Sequence, residues 1–156
     1  MSFVVRPLSD PGVARALCDS ILATLPDWFG PRDIYQDYLE DVQDRPAFAA
    51  SLDGSDQGIM ALTQTSAAAV DIHLMAVAPA AHGKGLGHAM VGEAQTFARD
   101  RGAAFLTVKT LGPSRDNAAY ALTRAFYRRQ GFEPVEEFID FWGEGYPMLL
   151  LCQSTR

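Results

Sequence analysis

Apolar residues in the first quarter of the chain recur at the spacing of amphipathic helices. After a short extended run over residues 2–6, Asp10 and Pro11 form a helix start. The apolar stripe that follows has a period of four residues and consists of Val13, Leu17, Ile21 and Leu25. A second helix is predicted over residues 31–42, with a stripe of Ile34, Tyr38 and Val42.

The rest of the chain alternates short apolar runs with two further helical segments. Strands are predicted over residues 47–52, 58–65, 68–77, 104–109, 138–142 and 148–152. Helical spacing is found over residues 86–101 and 120–130, and in the last helix Leu122 and Phe126 form the stripe suited to the core. The order β-α-α-β-β-β-α-β-α-β-β predicts a mixed sheet covered by helices.

Length and composition predict one globular domain over residues 1–156. The hydrophobic fraction is 48% and the charged fraction is 21%, which is typical of soluble globular proteins. The formal net charge is -6 and the sequence pI is about 4.9. Because phosphate backbones and anionic lipids attract basic surfaces, this balance argues against a nucleic acid or membrane partner.

The two cysteines predict neither a zinc cluster nor a disulfide framework. Cys18 and Cys152 lie far apart in the sequence and outside any CxxC pattern. The N-terminal residues lack a long apolar segment, and no stretch approaches 18 uninterrupted apolar residues. We therefore expect a cytoplasmic, reduced protein.

A glycine-rich segment stands between the strand predicted over residues 68–77 and the helix after it. It reads His82-Gly83-Lys84-Gly85-Leu86-Gly87. Glycine permits positive φ and close approach of a ligand, and the free N–H groups at a helix start favour an anion such as a pyrophosphate. The segment lacks the terminal Gly-Lys-Ser/Thr of nucleotide P-loops and the GxGxxG spacing of dinucleotide sites. A tight turn without a ligand is the structural alternative.

Three segments together resemble the GNAT N-acetyltransferase superfamily. They are the glycine-rich segment at 82–87, the preceding LMAVAP at 74–79, and TRAFYRRQGF at 123–132. Histidine stands at position 82, where the family has arginine or glutamine. The resemblance implies an α+β, three-layer fold, with a mixed, mostly antiparallel central sheet of six to seven strands and about four flanking helices.

The resemblance also implies acetyl-CoA as cosubstrate and no metal. The segment expected to hold the pyrophosphate consists of His82, Gly83, Lys84, Gly85, Leu86 and Gly87. The pantetheine is expected to pair with the backbone around Met75 and Val77, and the Met75 N–H to donate to the thioester carbonyl. Tyr120 is a further coenzyme contact. The histidines lack HxxxH and HExxH spacing, which also argues against a metal site.

Tyr127 corresponds to the family tyrosine that protonates the departing CoA thiolate, and a packing role is its alternative. Asp71 and His73 are candidates for the base that takes the proton of the attacking amine. The two-residue period of a strand puts both side chains on one face. For each, the alternative is an ordinary strand residue that is solvated or packed.

The resulting functional prediction is an N-acetyltransferase that acts on a primary amine, a small molecule or a peptide, by direct attack in a ternary complex. The alternatives are a non-catalytic module that senses acetyl-CoA and an acyltransferase that uses a longer acyl-CoA. The aromatics Trp28, Phe29, Trp142 and Tyr146 are expected to rim the acceptor pocket, to pack, or to form a homodimer contact.

Overall fold

The computed structural model of the protein describes all 156 residues and contains seven strands and five α-helices. In chain order the elements are β1 (Phe3–Leu8), α1 (Pro11–Leu22), α2 (Pro26–Phe29), α3 (Arg32–Asp41), β2 (Ala47–Leu52), β3 (Ser55–Gln64), β4 (Ala69–Val77), α4 (Leu86–Asp100), β5 (Phe105–Leu111), α5 (Ala118–Arg129), β6 (Glu133–Phe138) and β7 (Met148–Ser154). A 3₁₀ turn, Pro79–Ala81, lies between β4 and α4. The short helix α2 was not predicted.

The seven strands form one sheet in the order β1-β2-β3-β4-β5-β7-β6. Pairing is antiparallel between β1 and β2, β2 and β3, β5 and β7, and β6 and β7. Strands β4 and β5 are parallel, with a ladder that runs from Ala69 opposite Phe105 to Ile72 opposite Val108. The α+β fold with a mixed, mostly antiparallel sheet is therefore confirmed.

Side-chain caps start two of the helices at the positions that their sequences favour. The Asp10 carboxylate accepts hydrogen bonds from the Gly12 and Val13 amides at 2.8 and 3.3 Å, with Pro11 in the first turn of α1. At α5 the Asn117 side chain accepts from the Tyr120 amide at 3.0 Å. These bonds satisfy amides that have no carbonyl partner within the helix.

The chain divides into two compact units, of which the first comprises Met1–Thr63 and His73–Ala94. Its core joins the inner faces of α1 and α3 to residues of β2, β3 and β4. The best buried side chains of this cluster, at 0% exposure, are those of Cys18, Leu22, Leu39, Ile59 and Ala61.

The second unit comprises Gln64–Ile72 and Gln95–Arg156. Leu106, Phe132 and Leu151 are completely buried in it. The Gln95 side chain donates a 2.6 Å hydrogen bond to the side chain of Gln153 on β7. The prediction of a single domain over the whole chain stays a prediction.

The predicted stripes of α1 and α3 are confirmed in part. Their later residues are buried as predicted, namely Ile21, Leu25 and Val42. Their first residues are not, because Val13 is 50% exposed and Ile34 is 68% exposed. The neighbours Ala14 and Tyr35 are buried instead, so each helix also buries a residue outside the aliphatic stripe.

The stripe predicted for α5 is also wrong. Leu122 is 66% exposed and Phe126 is half-buried, whereas Tyr127 is 5% exposed. The Tyr127 ring packs edge-on against Phe132, with 5.4 Å between ring centroids. The contact with the Phe132 ring, which follows the helix, therefore places Tyr127 on the buried face of α5.

The strand predicted over residues 138–142 is wrong except at Phe138, which is the last residue of β6, and residues 139–142 form a turn. Asp140 has a φ of 59°, outside the β region. Its carboxylate accepts a 2.7 Å hydrogen bond from the Gly145 amide, and its carbonyl accepts a 3.1 Å bond from Gly143. These bonds close the turn, although the run of aromatic residues here is typical of a strand.

None of the helices combines the length and the apolar composition that a membrane span requires.

Packing of α1 predicts that Cys18 is unreactive in the folded protein. Burial raises the pKa of its thiol to about 12, and the neighbouring Asp19 carboxylate adds to the shift. Since the thiolate is the nucleophile, a Cys152→Ala protein, in which Cys18 is the remaining thiol, should react with a disulfide reagent at mildly alkaline pH only after urea is added. Rapid labelling without urea would contradict this packing.

Candidate functional site

The segment between β4 and α4 adopts the backbone conformation for which its glycines are suited. Gly83 has a φ of 73° and Gly85 a φ of 94°, in the left-handed region that L side chains avoid. A Cβ atom built on Gly83 would have no protein atom within 4 Å. The surface over this glycine is therefore open to a ligand.

Helix α4 begins directly after these glycines. The Ala89 amide donates to the Gly85 carbonyl at 3.1 Å, and the buried Leu86 side chain holds the first turn in the core. Gly87 follows inside this turn and Lys84 is exposed. Amides at the start of a 15-residue helix have no carbonyl partner within it and lie at the positive end of its dipole. The segment can thus bind an anion through its backbone.

The His82 side chain fastens this segment to the end of β4. Its Nε2–H donates a 2.6 Å hydrogen bond to the Val77 carbonyl. The Trp28 ring from α2 packs edge-on against the imidazole, with centroids 5.8 Å apart. His82 and Val77, which were both predicted as coenzyme contacts, are thus in direct contact with each other. The Trp28 contact has no signal in the sequence, because 53 positions separate it from His82.

One hydrogen bond shows which way the backbone points just after β4. The Ala78 N–H donates to the Gln57 carbonyl at 2.7 Å, toward β3. The Ala69 carbonyl at the start of the strand also faces β3, because it accepts from the Thr65 amide at 3.1 Å. Since successive residues of a regular strand face opposite sides, β4 changes register between Ala69 and Ala78. The Met75 and Val77 amides stay predicted coenzyme contacts.

Asp71 is a buried carboxylate with two partners on β5. The Thr107 hydroxyl donates to its Oδ1 at 2.6 Å, and Lys109 Nζ lies 3.2 Å from the same atom. The Asp71 side chain is 7% exposed. Sequence analysis missed both partners, which become neighbours only through the parallel ladder of β4 and β5.

His73, two residues further along β4, has a different set of partners. Its Nε2 lies 2.7 Å from Asp41 Oδ2 at the end of α3, and its side chain is 27% exposed. The Tyr38 ring packs against the imidazole at a centroid distance of 5.7 Å. Asp41 is one of several acids on α3, so nothing in the sequence distinguishes it.

The two tyrosines of α5 lie in different surroundings. Tyr127 is buried between Phe126 and Phe132, with ring centroids 5.2 and 5.4 Å away. Tyr120 is half-buried in the first turn of the helix. The ring of Tyr127 therefore contributes to packing, and a chemical role would fall to its hydroxyl.

The remaining aromatic candidates are divided between the units. Phe29 packs edge-on against Tyr38 at 5.8 Å in the first unit, close to the residues that hold His73. Trp142 and Tyr146 are 49% and 47% exposed on the turn after β6.

No group of three or more His, Cys, Asp or Glu residues could hold a metal ion. The homodimer contact stays a prediction.

Comparison with known families finds a match over residues 43–134, which is more than half of the chain. The matching family model is that of the acetyltransferase (GNAT) domain. The match includes β4, the glycine segment, α4, β5 and α5, on which the candidate residues lie. A comparison with curated protein sequences gives no significant match.

Solved structures with the same fold cover almost the whole chain. A protein from Desulfovibrio desulfuricans assigned to the GNAT family superposes with a TM-score of 0.81 at 22% identity, over 99% of this chain and 100% of its own. A GNAT acetyltransferase from Elizabethkingia anophelis with acetyl-CoA bound has a TM-score of 0.70 at 18% identity, over 97% of each chain. The ribosomal-protein-S18-alanine N-acetyltransferase of Escherichia coli has a TM-score of 0.75 at 14% identity, over 99% of this chain and 94% of its own. At these identities the likeness shows the fold.

The burial of Asp71 predicts a structural cost when its carboxylate is removed. Asp71→Ala leaves the Thr107 hydroxyl and Lys109 without their partner, so the free energy of unfolding should fall by about 1–3 kcal/mol. Asp44→Ala is the matched control, because that side chain is 76% exposed and should change stability by less than about 0.5 kcal/mol. Equal urea midpoints and slopes for the two variants would contradict a structural role of Asp71.

Proposed function

Because this chain belongs to the GNAT acetyltransferase family, we propose that it transfers the acetyl group of acetyl-CoA to a primary amine. The amine attacks the thioester directly in a ternary complex. A C–N bond forms, the C–S bond breaks, one proton leaves the amine and one is taken up by the CoA sulfur. The chain supplies groups for binding, for charge stabilisation and for both proton transfers.

The observation that carries the proposal is the left-handed glycine segment at the start of α4, which is open at Gly83. The pyrophosphate of acetyl-CoA would lie against the backbone of residues 82–87, where Gly83 leaves room for it. Lys84 adds a cation at the same place. The structural neighbour from Elizabethkingia anophelis contains acetyl-CoA, which supports a coenzyme of this class.

The end of β4 is proposed to bind the pantetheine and the thioester. The Met75 and Val77 amides would pair with this arm of the coenzyme. The Met75 N–H would donate to the thioester oxygen as negative charge develops there. A backbone donor explains why an apolar side chain suffices at this position.

Tyr127 is the proposed acid for the departing thiolate. Its phenol would donate the proton that the CoA sulfur takes up, in keeping with the family tyrosine at this position of the motif. Tyr120 lies seven residues before Tyr127 on the same face of α5. It is proposed as a coenzyme contact.

Of the two candidate bases, the contacts support His73 over Asp71. Asp71 is 7% exposed and is already engaged by Thr107 and Lys109, so an incoming amine would have to displace these partners from a buried carboxylate. His73 is 27% exposed and uses one ring nitrogen for Asp41. Its other nitrogen can accept a proton from the acceptor amine, directly or through water.

The acceptor is proposed to be cationic, since the chain carries a net charge of -6. The test is to incubate the protein with acetyl-CoA and a panel of polyamines, aminoglycosides and peptides with free N-termini. Thiol release and the mass of the acetylated amine are then measured. Tight acetyl-CoA binding without thiol release from any amine would favour a sensing module, and faster release from longer acyl-CoAs would change the proposed donor.

A methyl group at Gly83 should block the proposed coenzyme site. Gly83→Ala adds a Cβ to the open surface and should weaken acetyl-CoA binding by at least about tenfold, which corresponds to about 1.4 kcal/mol. Gly102→Ala is the matched control, because Gly102 has a φ of 70° and an equally open Cβ position after the far end of α4. Calorimetry that finds the same affinity for both variants would remove the glycine segment from the site.

Tyr127→Phe removes the proposed acid and keeps the buried ring. We expect kcat to fall by about 10²-fold with unchanged acetyl-CoA affinity, because one positioned proton donor is lost. Tyr35→Phe is the control: that tyrosine is also buried and its hydroxyl donates to Asp19 at 3.2 Å. If the two variants turn over at the same rate, Tyr127 has only a packing role.

A further inference from the structure

Two residues outside the predicted site hold the imidazole of His73 in one orientation. Asp41 Oδ2 lies 2.7 Å from His73 Nε2, and the Tyr38 ring packs against the imidazole at 61° between planes. Both residues come from α3, whereas His73 lies on β4. The contact thus fixes the side chain relative to two elements of the first unit.

Asp41 is itself held by a second contact. Its other oxygen, Oδ1, lies 3.1 Å from Arg45 Nη1, and Arg45 Nε donates to the Thr63 hydroxyl at 3.0 Å. The two carboxylate oxygens therefore have separate partners, a guanidinium and an imidazole. Rotation of the carboxylate would break both contacts, so Asp41 presents a fixed acceptor to His73.

A fixed carboxylate determines which nitrogen of a neutral imidazole carries the proton. An ionised carboxylate only accepts hydrogen bonds, so His73 must carry its proton on Nε2. The basic lone pair is then on Nδ1, which makes no hydrogen bond within the protein. A histidine that acts as a base requires this arrangement, with one nitrogen oriented and the other free.

We infer that Asp41 is a positioning residue that holds His73 in the Nε2–H tautomer, so that Nδ1 accepts the proton of the attacking amine. This inference rests on the proposed acetyltransferase function. One proton passes from the ammonium to Nδ1 and then to water, and the electron pair that this leaves on the amine nitrogen attacks the thioester. The nitrogen loses its second proton when the amide forms, which balances the proton that the CoA sulfur takes up. Asp41 does not touch the substrate.

The decisive variant is Asp41→Asn. Its amide can donate a hydrogen bond to Nε2, which would move the imidazole proton to Nδ1 and remove the basic lone pair. We expect kcat to fall by about 10²-fold, with unchanged acetyl-CoA affinity. Asp41→Glu keeps a carboxylate and should recover part of the lost rate.

Asp44→Asn is the matched control. It removes the same negative charge as Asp41→Asn, from a carboxylate oxygen 3.0 Å from Arg45 Nη1. The Asp44 side chain is 76% exposed. It should leave kcat unchanged. A fall in kcat of equal size in both variants would mean that the charge around Arg45 matters and not the contact with His73, and this would overturn the inference.

The tautomer is read directly from long-range ¹H–¹⁵N correlations of the imidazole in the intact protein, with the His73 signal assigned from a His73→Gln variant. Nε2–H in the parent protein and Nδ1–H in Asp41→Asn are expected. Nδ1–H in the parent protein, or unchanged kcat in Asp41→Asn with a good acceptor, would overturn the role of Asp41 and leave the acetyltransferase proposal standing. If no amine is acetylated by the parent protein, the proposed function fails, and the role of His73 as a base fails with it, whatever tautomer is observed.

Discussion

The hydrogen bond from the Ala78 amide to the Gln57 carbonyl ties the end of β4 to β3, just before the glycine segment. It gives the glycine segment a fixed starting point. Along β4 the side chains alternate, so the buried Ile72, Leu74 and Ala76 lie on one face and His73 lies on the other. A titratable side chain and the proposed backbone donor at Met75 thus belong to one strand without any special sequence motif in it.

A second constraint acts on the segment that follows. Its left-handed glycines allow the chain to turn from the 3₁₀ turn into α4, with open space over Gly83, and His82 ties the segment to the Val77 carbonyl. In the family pattern arginine or glutamine stands at this position. Histidine also has an N–H donor, but it donates to the protein's own backbone, so the proposed binding of the pyrophosphate falls to the amides and to Lys84.

The parts of the structure that depend on local chemistry could be predicted from the sequence. The glycine segment, the cap of α1 at Asp10 and the strand β2 follow from residue types and short spacings. The helix faces could be predicted only in part, because Ala14 and Tyr127 are buried through contacts with distant elements. The aromatic run after β6 resembles a strand, and only the hydrogen bonds of Asp140 show that it turns. Asp41 was out of reach for a similar reason, since its partner is 32 residues away.

The central claim is that acetyl-CoA binds along the end of β4 and across the start of α4 through the backbone. Amide hydrogen exchange of the protein with and without acetyl-CoA tests this at individual residues. The account predicts slower exchange at Met75, at Val77 and across residues 83–87, with no change at Ala78, whose amide already bonds to Gln57. Unchanged exchange at these amides under saturating acetyl-CoA, or protection confined to other elements, would contradict it.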